Sequence, residues 1–302
     1  MTHPEIKRVV CAGITTLDII YGLDEIPTVP LKFRSTQMVT SGGGLAGNAA
    51  TACARLGASV ALIARLGDDP FAAMMIDELE RDGVDCSLVR RCPGHRSPVS
   101  AVVIDRHGER LVVSYSDPGI PSSADWIDAG VLSGADAAYA ETRWIEAALT
   151  LLPLARHAGL PSVLDADRRP DRQEVLALAS HVGFSAPALR DLTGIDDLAM
   201  ALVHASSGAG NVFLVTDGAR GAWYMEGRLV RHVPAFEVTA VDTLGAGDTW
   251  HGALALALAE QQPLDRAVRF ANAAAALKCT AFGGRRGMPD RASVDRLLAG
   301  RR

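Results

Sequence analysis

Short β-rich runs alternate with Ala/Leu-rich helical stretches along most of the chain. Arg8–Gly13 and Val60–Arg65 are strand-like and are separated by the helical stretch Ala46–Leu56. Further strand-like segments follow at Ala137–Ala140, Ser162–Ala166, Val182–Ser185 and Val212–Thr216, with amphipathic stretches between most of them. This pattern predicts a mainly parallel sheet covered on both faces by helices, a three-layer α/β/α architecture whose ligands gather at the carboxyl ends of the strands. At 302 residues the chain fits one large α/β domain, 1–302, with an appendage.

Two stretches break the alternation. Ile19–Thr40 carries Pro27 and Pro30 and no helical period, and Ser97–Tyr115 reads as two β-runs around Asp105-Arg106-His107-Gly108. Together these segments, 19–40 and 97–115, are expected to form a small antiparallel sheet hung on the main domain as a lid. An uncovered face of such a sheet favours pairing with a second copy, so a homodimer is expected.

Charge narrows the partners. A net charge of −5 gives no general attraction to a polyanion, so nucleic acid is not an expected partner, and a small anionic substrate would need local basic residues. The five cysteines are scattered and lack any C-x-x-C pair, which argues for reduced thiols rather than a disulfide framework or zinc site. No apolar run reaches the roughly 18 residues of a membrane span, and Met1–Lys7 lacks a basic-then-apolar leader. The expected location is cytoplasmic, with no membrane partner.

The segment Val241-Asp242-Thr243-Leu244-Gly245-Ala246-Gly247-Asp248-Thr249-Trp250-His251-Gly252 runs directly into an Ala/Leu-rich helix expected over Ala246–Glu260. Gly245 and Gly247 allow close backbone approach to a ligand, and the first-turn N–H groups have no internal partners, so they form a cradle for phosphate. Asp248 in the same turn is placed to receive a proton from an attacking hydroxyl, and the helix N-terminus is expected to keep it ionised at neutral pH. A cradle beside a base suggests phosphoryl transfer, where the protein contributes positioning and charge stabilisation. An ordinary cap is the plainer reading.

A second glycine cluster, Ser41-Gly42-Gly43-Gly44-Leu45-Ala46-Gly47-Asn48, also precedes a helix. Gly42, Gly44 and Gly47 formally satisfy G-x-G-x-x-G, which leaves open a Rossmann-type NAD(P)-dependent oxidoreductase. The preceding Ser35–Thr40 is polar and poorly suited to a buried parallel strand, and Asn48-Ala49 stands where a P-loop needs Lys-Ser or Lys-Thr. What remains is a turn presenting backbone N–H groups and the Asn48 amide to a polar ligand.

Gly43-Gly44 with Asn48, and Asp242-Thr243-x-Gly245-Ala246-Gly247-Asp248, together resemble the two signatures of the PfkB (ribokinase-like) carbohydrate kinases. The likeness spans nearly the whole chain. It implies a ribokinase-like fold and an ATP-dependent transfer of the γ-phosphoryl group to a primary hydroxyl of a ketose-like sugar. By that resemblance Asp248 is the base, and the N–H groups of Gly245, Ala246 and Gly247 hold the phosphoryl group. Asp18, Gly43, Gly44 and Asn48 bind sugar. Thr216-Asp217-Gly218-x-x-Gly221 looks like the nucleotide-side turn, and Asn272 falls where the family contacts the adenine region.

The family's N-x-x-E pair is replaced by Ser185 and Ala188, so Asp165 and Asp167 become the substitute candidates for organising water around Mg²⁺. The resemblance implies ATP and Mg²⁺ as cofactors and leaves room for a monovalent cation such as K⁺. Its missing N-x-x-E pair leaves room for a non-catalytic sugar or nucleotide sensor.

The runs Gly13-Ile-Thr, Val163–Asp167 and Ala276–Thr280, followed by Gly283-Gly284-Arg285-Arg286-Gly287, look most like the sulfofructose kinase branch. That branch implies Lys32 and Arg143 near an anionic end of the sugar, as in 6-deoxy-6-sulfofructose. Ser114 stands where the branch has a lid Asn, which keeps fructose and its phosphates open.

Overall fold

The computed structural model describes residues 5–300; residues 1–4 and 301–302 of the expected 1–302 domain lie outside the described residues. The first half runs β1 (Arg8–Ala12), β2 (Thr16–Gly22), β3 (Gln37–Gly43), α1 (Leu45–Arg55), β4 (Ser59–Gly67), α2 (Pro70–Arg81), β5 (Val84–Asp85), β6 (Val89–Cys92), β7 (Val99–Ile104) and β8 (Arg110–Tyr115). β9 (Ala137–Glu141), α3 (Ile145–His157), β10 (Ser162–Ala166), β11 (His181–Ser185), α4 (Ala186–Thr193), α5 (Leu198–Ala205) and β12 (Val212–Thr216) follow. The chain closes with β13 (Ala222–Glu226), β14 (Leu229–Val233), α6 (Ala246–Ala259), α7 (Leu264–Lys278) and α8 (Arg291–Leu298).

The main sheet is ordered β14-β13-β12-β11-β10-β9-β1-β4-β5, with β6 also paired to β4. Pairing is parallel from β12 through β1 to β4 and its edge strands, and antiparallel only at β12–β13–β14. Period-2 alternation sorts each strand between two cores. Val9 and Cys11 pack under α1, α6 and α7, whereas Val10 and Ala12 pack under α3. Leu164, Val182 and Phe184 lie beneath α4 and α5 on that second face. Strands buried on both sides are apolar throughout, which is why their runs read as continuous rather than alternating.

The smaller sheet, β3-β2-β7-β8, is mixed rather than antiparallel: β2 and β3 run antiparallel, as do β7 and β8, but β2 and β7 are parallel. The chain returns to β7 after crossing the main sheet edge at β6, so it enters the lid in the same direction as β2. The lid is also longer than the expected 19–40 segment, because β2 begins at Thr16 and β3 ends at Gly43. That extension carries Asp18 and Gly43 from the lid to the rim of the main sheet.

One contact fixes the interior geometry of the first face. A Cβ at Gly252 would lie 2.6 Å from the Ala49 carbonyl oxygen, so the α1 and α6 backbones touch directly. Cys53 Sγ donates to the Gly252 carbonyl at 3.1 Å beside that crossing. Among the described residues no helix is long and apolar enough to cross a membrane.

Candidate active site

Both glycine turns meet at the carboxyl ends of the strands. Gly245 caps α6 with φ +80°, a left-handed conformation that favours glycine, and any Cβ there would also press on Asn48 Nδ2 at 3.3 Å. Gly44 caps α1 with φ +80°, where a Cβ would lie 2.7 Å from the Ile14 carbonyl oxygen. The two caps bring Asn48 and Asp248 together: Asn48 Nδ2 donates to Asp248 Oδ2 at 2.7 Å.

The Asn48 amide is oriented from behind. Arg285 is fully buried; its Nε donates to Asn48 Oδ1 at 3.1 Å and its Nη2 to the Gly43 carbonyl at 2.9 Å. With Oδ1 committed to the guanidinium, Nδ2 faces the Asp248 carboxylate. Gly42 and Gly47 make room for the guanidinium, since a Cβ at either would overlap it. Arg285 was visible in the sequence only as one of several charges in a glycine-rich tail, and nothing local marked it as buried.

Asp248 is half-buried at the start of α6. Burial and the charge of Asp165 push its pKa up to about 7, against the pull of the Asn48 hydrogen bond and of His251. This corrects the expectation of an ordinary ionised aspartate at neutral pH: desolvation and a like-charged neighbour outweigh the helix N-terminus. A base must be deprotonated, so kcat/KM is expected to rise about tenfold per pH unit below pH 7 and to flatten above it. A steady-state pH profile checks this; a flat profile from pH 5.5 to 8 would exclude Asp248 as the titrating base. The stability sign is the reverse. The folded pKa exceeds the unfolded value, so between about pH 4 and 7 this group increasingly disfavours the folded state as pH rises.

The cradle differs in one detail from the expected trio. Ala246 N donates to the Thr243 carbonyl at 3.2 Å, so its N–H is engaged, while Gly245, Gly247 and Asp248 have no backbone acceptor among the described residues. The Gly247 Cα faces open space. That opening leads into a cavity of about 560 Å³ whose lining includes Thr216, Gly218, Gly221, Gly247, Trp250 and Asn272. Asn272 supplies no free polar atom to it: its Oδ1 accepts from Trp250 Nε1 at 2.7 Å, and its Nδ2 donates to the Val233 and Pro234 carbonyls at 3.0 and 3.1 Å. Any adenine contact there is therefore by packing. Asp217 sits at the turn in an ion pair with Arg220. Ser185 acts as the cap of α4, accepting from Ala188 N at 3.2 Å and donating to the Asp167 carbonyl at 3.1 Å.

On the other side of Asp248 the lid supplies a polar row. Register places Ser41, Asp18, Ser100 and Ser114 side by side across β3, β2, β7 and β8, so they share one face. Ser100 and Ser114 share a hydrogen bond of 3.0 Å, and Thr16 Oγ1 donates to Asp18 Oδ1 at 2.9 Å. Burial raises the Asp18 pKa, with the Thr16 and Ser100 hydroxyls opposing that rise. A Cβ at Gly43 would overlap the Asp18 carboxylate. Gly43→Ala is therefore expected to displace it and raise KM for the sugar about tenfold with less change in kcat, the scale of one lost charged hydrogen bond. Steady-state kinetics decide it, and an unchanged KM would remove Asp18 from the sugar site.

The candidates for an anionic sugar end and for the metal lie in separate settings. Lys32 lies exposed in the loop between β2 and β3. Arg143 is ion-paired with Asp167, its Nε donating to Asp167 Oδ2 at 2.9 Å, and Thr142 Oγ1 takes the other oxygen at 3.0 Å. Asp165 is buried in a network of its own, accepting from the Tyr139 hydroxyl at 3.1 Å and facing His251 Nδ1 at 3.1 Å. His251 Nδ1 also meets the Gly247 carbonyl at 2.9 Å, and Nε2 meets the Gly183 carbonyl at 3.2 Å. Both nitrogens face only acceptors, so the imidazolium is the form that satisfies them. Burial opposes that charge, yet Asp165 raises the His251 pKa overall.

Asp167 has both oxygens engaged and Asp165 has its Oδ2 engaged twice, and no group of three or more His, Cys, Asp or Glu among the described residues is arranged to hold a metal ion. The two carboxylates would therefore act on Mg²⁺ through water rather than as a cluster of direct ligands.

Residues 6–291 match the family model described as pfkB family carbohydrate kinase. The chain belongs to the pfkB family. A curated relative, fructokinase-1 of Oryza sativa, is 31% identical, with 95% of this chain and 99% of the relative covered. A candidate ribokinase from Agrobacterium tumefaciens superposes with a TM-score of 0.95 at 35% identity, covering 98% of both chains. The ribokinase of Arabidopsis thaliana, solved with ribose and ATP, has a TM-score of 0.84 at 24% identity and covers 97% of this chain and 99% of its own.

Family membership removes the oxidoreductase alternative, and the fold gives the reason. Gly42 and Gly43 belong to a lid strand rather than to a turn after a parallel strand of the main sheet. Two residues packed around these turns escaped the sequence reading. Glu141, at the end of β9, is fully buried, accepts N–H bonds from Ile14 and Trp144 at 3.0 and 3.2 Å, and is pushed up to about 7 by desolvation. Arg110 on β8 donates to Thr243 Oγ1 at 3.0 Å, tying the lid to the loop before the cradle.

Proposed function

We propose that this sugar kinase transfers the γ-phosphoryl group of ATP to a primary hydroxyl of a ketose-like sugar, with residues 1–302 acting as one kinase domain. The observation that carries the reading is the Asp248 carboxylate, held at 2.7 Å by Asn48 between the cavity behind Gly247 and the polar row of the lid. In this reading the nucleotide occupies the 560 Å³ cavity with its phosphates toward the α6 N-terminus. The sugar lies against Asp18, Gly43 and Asn48. The acceptor hydroxyl gives its proton to Asp248 as the γ-phosphoryl group passes to its oxygen and ADP leaves. The Gly245 and Gly247 N–H groups face the charge of the transferring group. The Arabidopsis ribokinase named with ribose and ATP supports the donor, and the fructokinase-1 of Oryza sativa supports a ketose acceptor. Mg²⁺ would arrive on the phosphates, as it does where few protein ligands are provided.

The sugar is read as neutral. Arg143 is already neutralised by Asp167 and Lys32 is solvated, so a sulfonate or phosphate tail would meet no buried, preorganised cation that lacks a partner in that pair. Coupled ADP-release assays on fructose, ribose, fructose phosphates and 6-deoxy-6-sulfofructose test reaction and acceptor together. Fructose or another neutral sugar is expected to give the largest kcat/KM. A preference for an anionic sugar overturns the neutral reading, and sugar binding without ADP release would make the protein a sensor.

A homodimer forms part of the proposal. Every residue of β8 is exposed, including Leu111, Val112, Val113 and Tyr115, although the strand borders the site. An edge exposing apolar side chains on both faces favours a partner of the same kind. Light scattering is expected to give a dimer mass, and Val113→Glu a monomer; a monomeric wild type rejects the interface.

A further inference from the structure

Lys278 is the one lysine that the fold buries completely among the described residues, and the proposed reaction makes no use of it. It ends α7. Its Nζ donates to the Asp242 carbonyl at 2.8 Å and lies 3.2 Å from Asp242 Oδ2. Asp242 itself is 1% exposed, so neither charge is screened by water. Its carboxylate organises two backbone segments at once. Oδ1 accepts from Leu244 N at 2.7 Å, and Oδ2 accepts from Gly283 N at 3.0 Å and Gly284 N at 2.8 Å. The Val241 and Asp242 N–H groups in turn donate to the Cys279 carbonyl at 2.8 and 3.2 Å.

This knot sits directly before Gly245, so it sets the path of the backbone entering the phosphate cradle. It also anchors the tail that carries Arg285, which orients Asn48 toward Asp248. A buried carboxylate of this kind needs a cation. The cation contacts here are one backbone carbonyl oxygen and one carboxylate oxygen, the hard oxygen donors that a dehydrated alkali ion would take. A primary ammonium supplies the same charge while remaining tethered to the chain.

We propose that Lys278 is a built-in monovalent cation for the cradle loop, a positioning residue whose ammonium does the work an added K⁺ would otherwise do. The inference rests on the kinase reading for its activity arm, and its second arm does not need it. The room that the resemblance left for K⁺ is taken, in this proposal, by the chain's own ammonium. The charge is internal and tethered to the chain: burial lowers the Lys278 pKa, and its contact with Asp242 opposes that fall.

The test measures ADP release and thermal melting of the full chain in chlorides of K⁺, NH₄⁺, Na⁺ and tetramethylammonium at one ionic strength. Wild-type turnover is expected to agree within about twofold across the four salts. Lys278→Ala opens a space for an ion and is expected to lose tenfold or more in kcat in tetramethylammonium, with K⁺ or NH₄⁺ restoring most of it and raising Tm. Lys278→Met fills that space with an apolar chain and is expected to show no rescue. Strong activation of the wild type by K⁺ overturns the proposal, as does rescue of Lys278→Ala by none of the ions. Should Lys278→Ala fail to fold, the wild-type salt series and the melting of Lys278→Met/Asp242→Asn decide: removing both charges is expected to recover stability lost by Lys278→Met alone, and no recovery overturns the pairing. A wild type that phosphorylates no sugar sinks the kinase reading, while the ion-specific shift in Tm still judges Lys278.

Discussion

Replacing Asp248 by Asn is expected to lower kcat by about 10³-fold while the protein still folds and binds ATP, because proton acceptance is removed and little else changes. The amide oxygen can still accept from Asn48 Nδ2, so the 2.7 Å contact that locates the side chain survives. Burial and Asp165 disfavour the carboxylate's charge, so a neutral amide relieves that cost and the Tm of Asp248→Asn is expected to equal or exceed the wild type at pH 8. ADP-release kinetics, nucleotide titration and thermal melting together check the prediction. Turnover within tenfold of wild type would place the base elsewhere.

The second large effect concerns stability. Asp165→Ala leaves the His251 imidazolium facing only the Gly247 and Gly183 carbonyls beneath α6, and leaves the Tyr139 hydroxyl without its carboxylate. Removing one member of a buried pair typically costs about 3–5 kcal/mol. For a chain of this size that corresponds to a fall in Tm of roughly 10 °C. The milder Asp165→Asn keeps the shape and removes the charge that raises Asp248, so the acid limb of its pH profile is expected to move below pH 7. A metal-organising Asp165 predicts something else, a rise in the Mg²⁺ concentration needed for half activity with Tm unchanged. Measuring both quantities on one variant separates the two roles.

Much of the fold was legible because its causes are local. Strands such as Ser162–Ala166 and Val212–Thr216 are short apolar runs bounded by helical periodicity, and they occupy those residues in the sheet. The α6 start was legible for the same reason, since glycine spacing before an apolar helix needs no partner to be recognised. The mixed lid was not, because the parallel pairing of β2 with β7 depends on the route the chain takes around the sheet edge rather than on either strand's composition.

Site residues divide along similar lines. Asp165 and Asp167 look equivalent in Asp-Ala-Asp, but alternate side chains take different neighbours: Asp165 finds Tyr139 and His251, and Asp167 finds Arg143 and Thr142. Those partners are 24 to 86 residues away in sequence, beyond any spacing rule. Lys278 at the end of an alanine-rich helix reads as a solvated C-terminal charge complementing the helix dipole. The available hint was a single charge within an otherwise apolar stretch, Ala273-Ala-Ala-Ala-Leu-Lys278.

The bare contact between α1 and α6 at Ala49 and Gly252 bears on how the enzyme moves. With no layer of side chains between them to slide or hop between rotamers, Asn48 and Asp248 are mounted on a common rigid block. In the proposed reaction, the motions that admit a sugar and release its product would then fall to the four strands of the smaller sheet. On that reading the stroke and the chemistry are divided between separate pieces of backbone, and repeated opening would leave the proposed base in alignment.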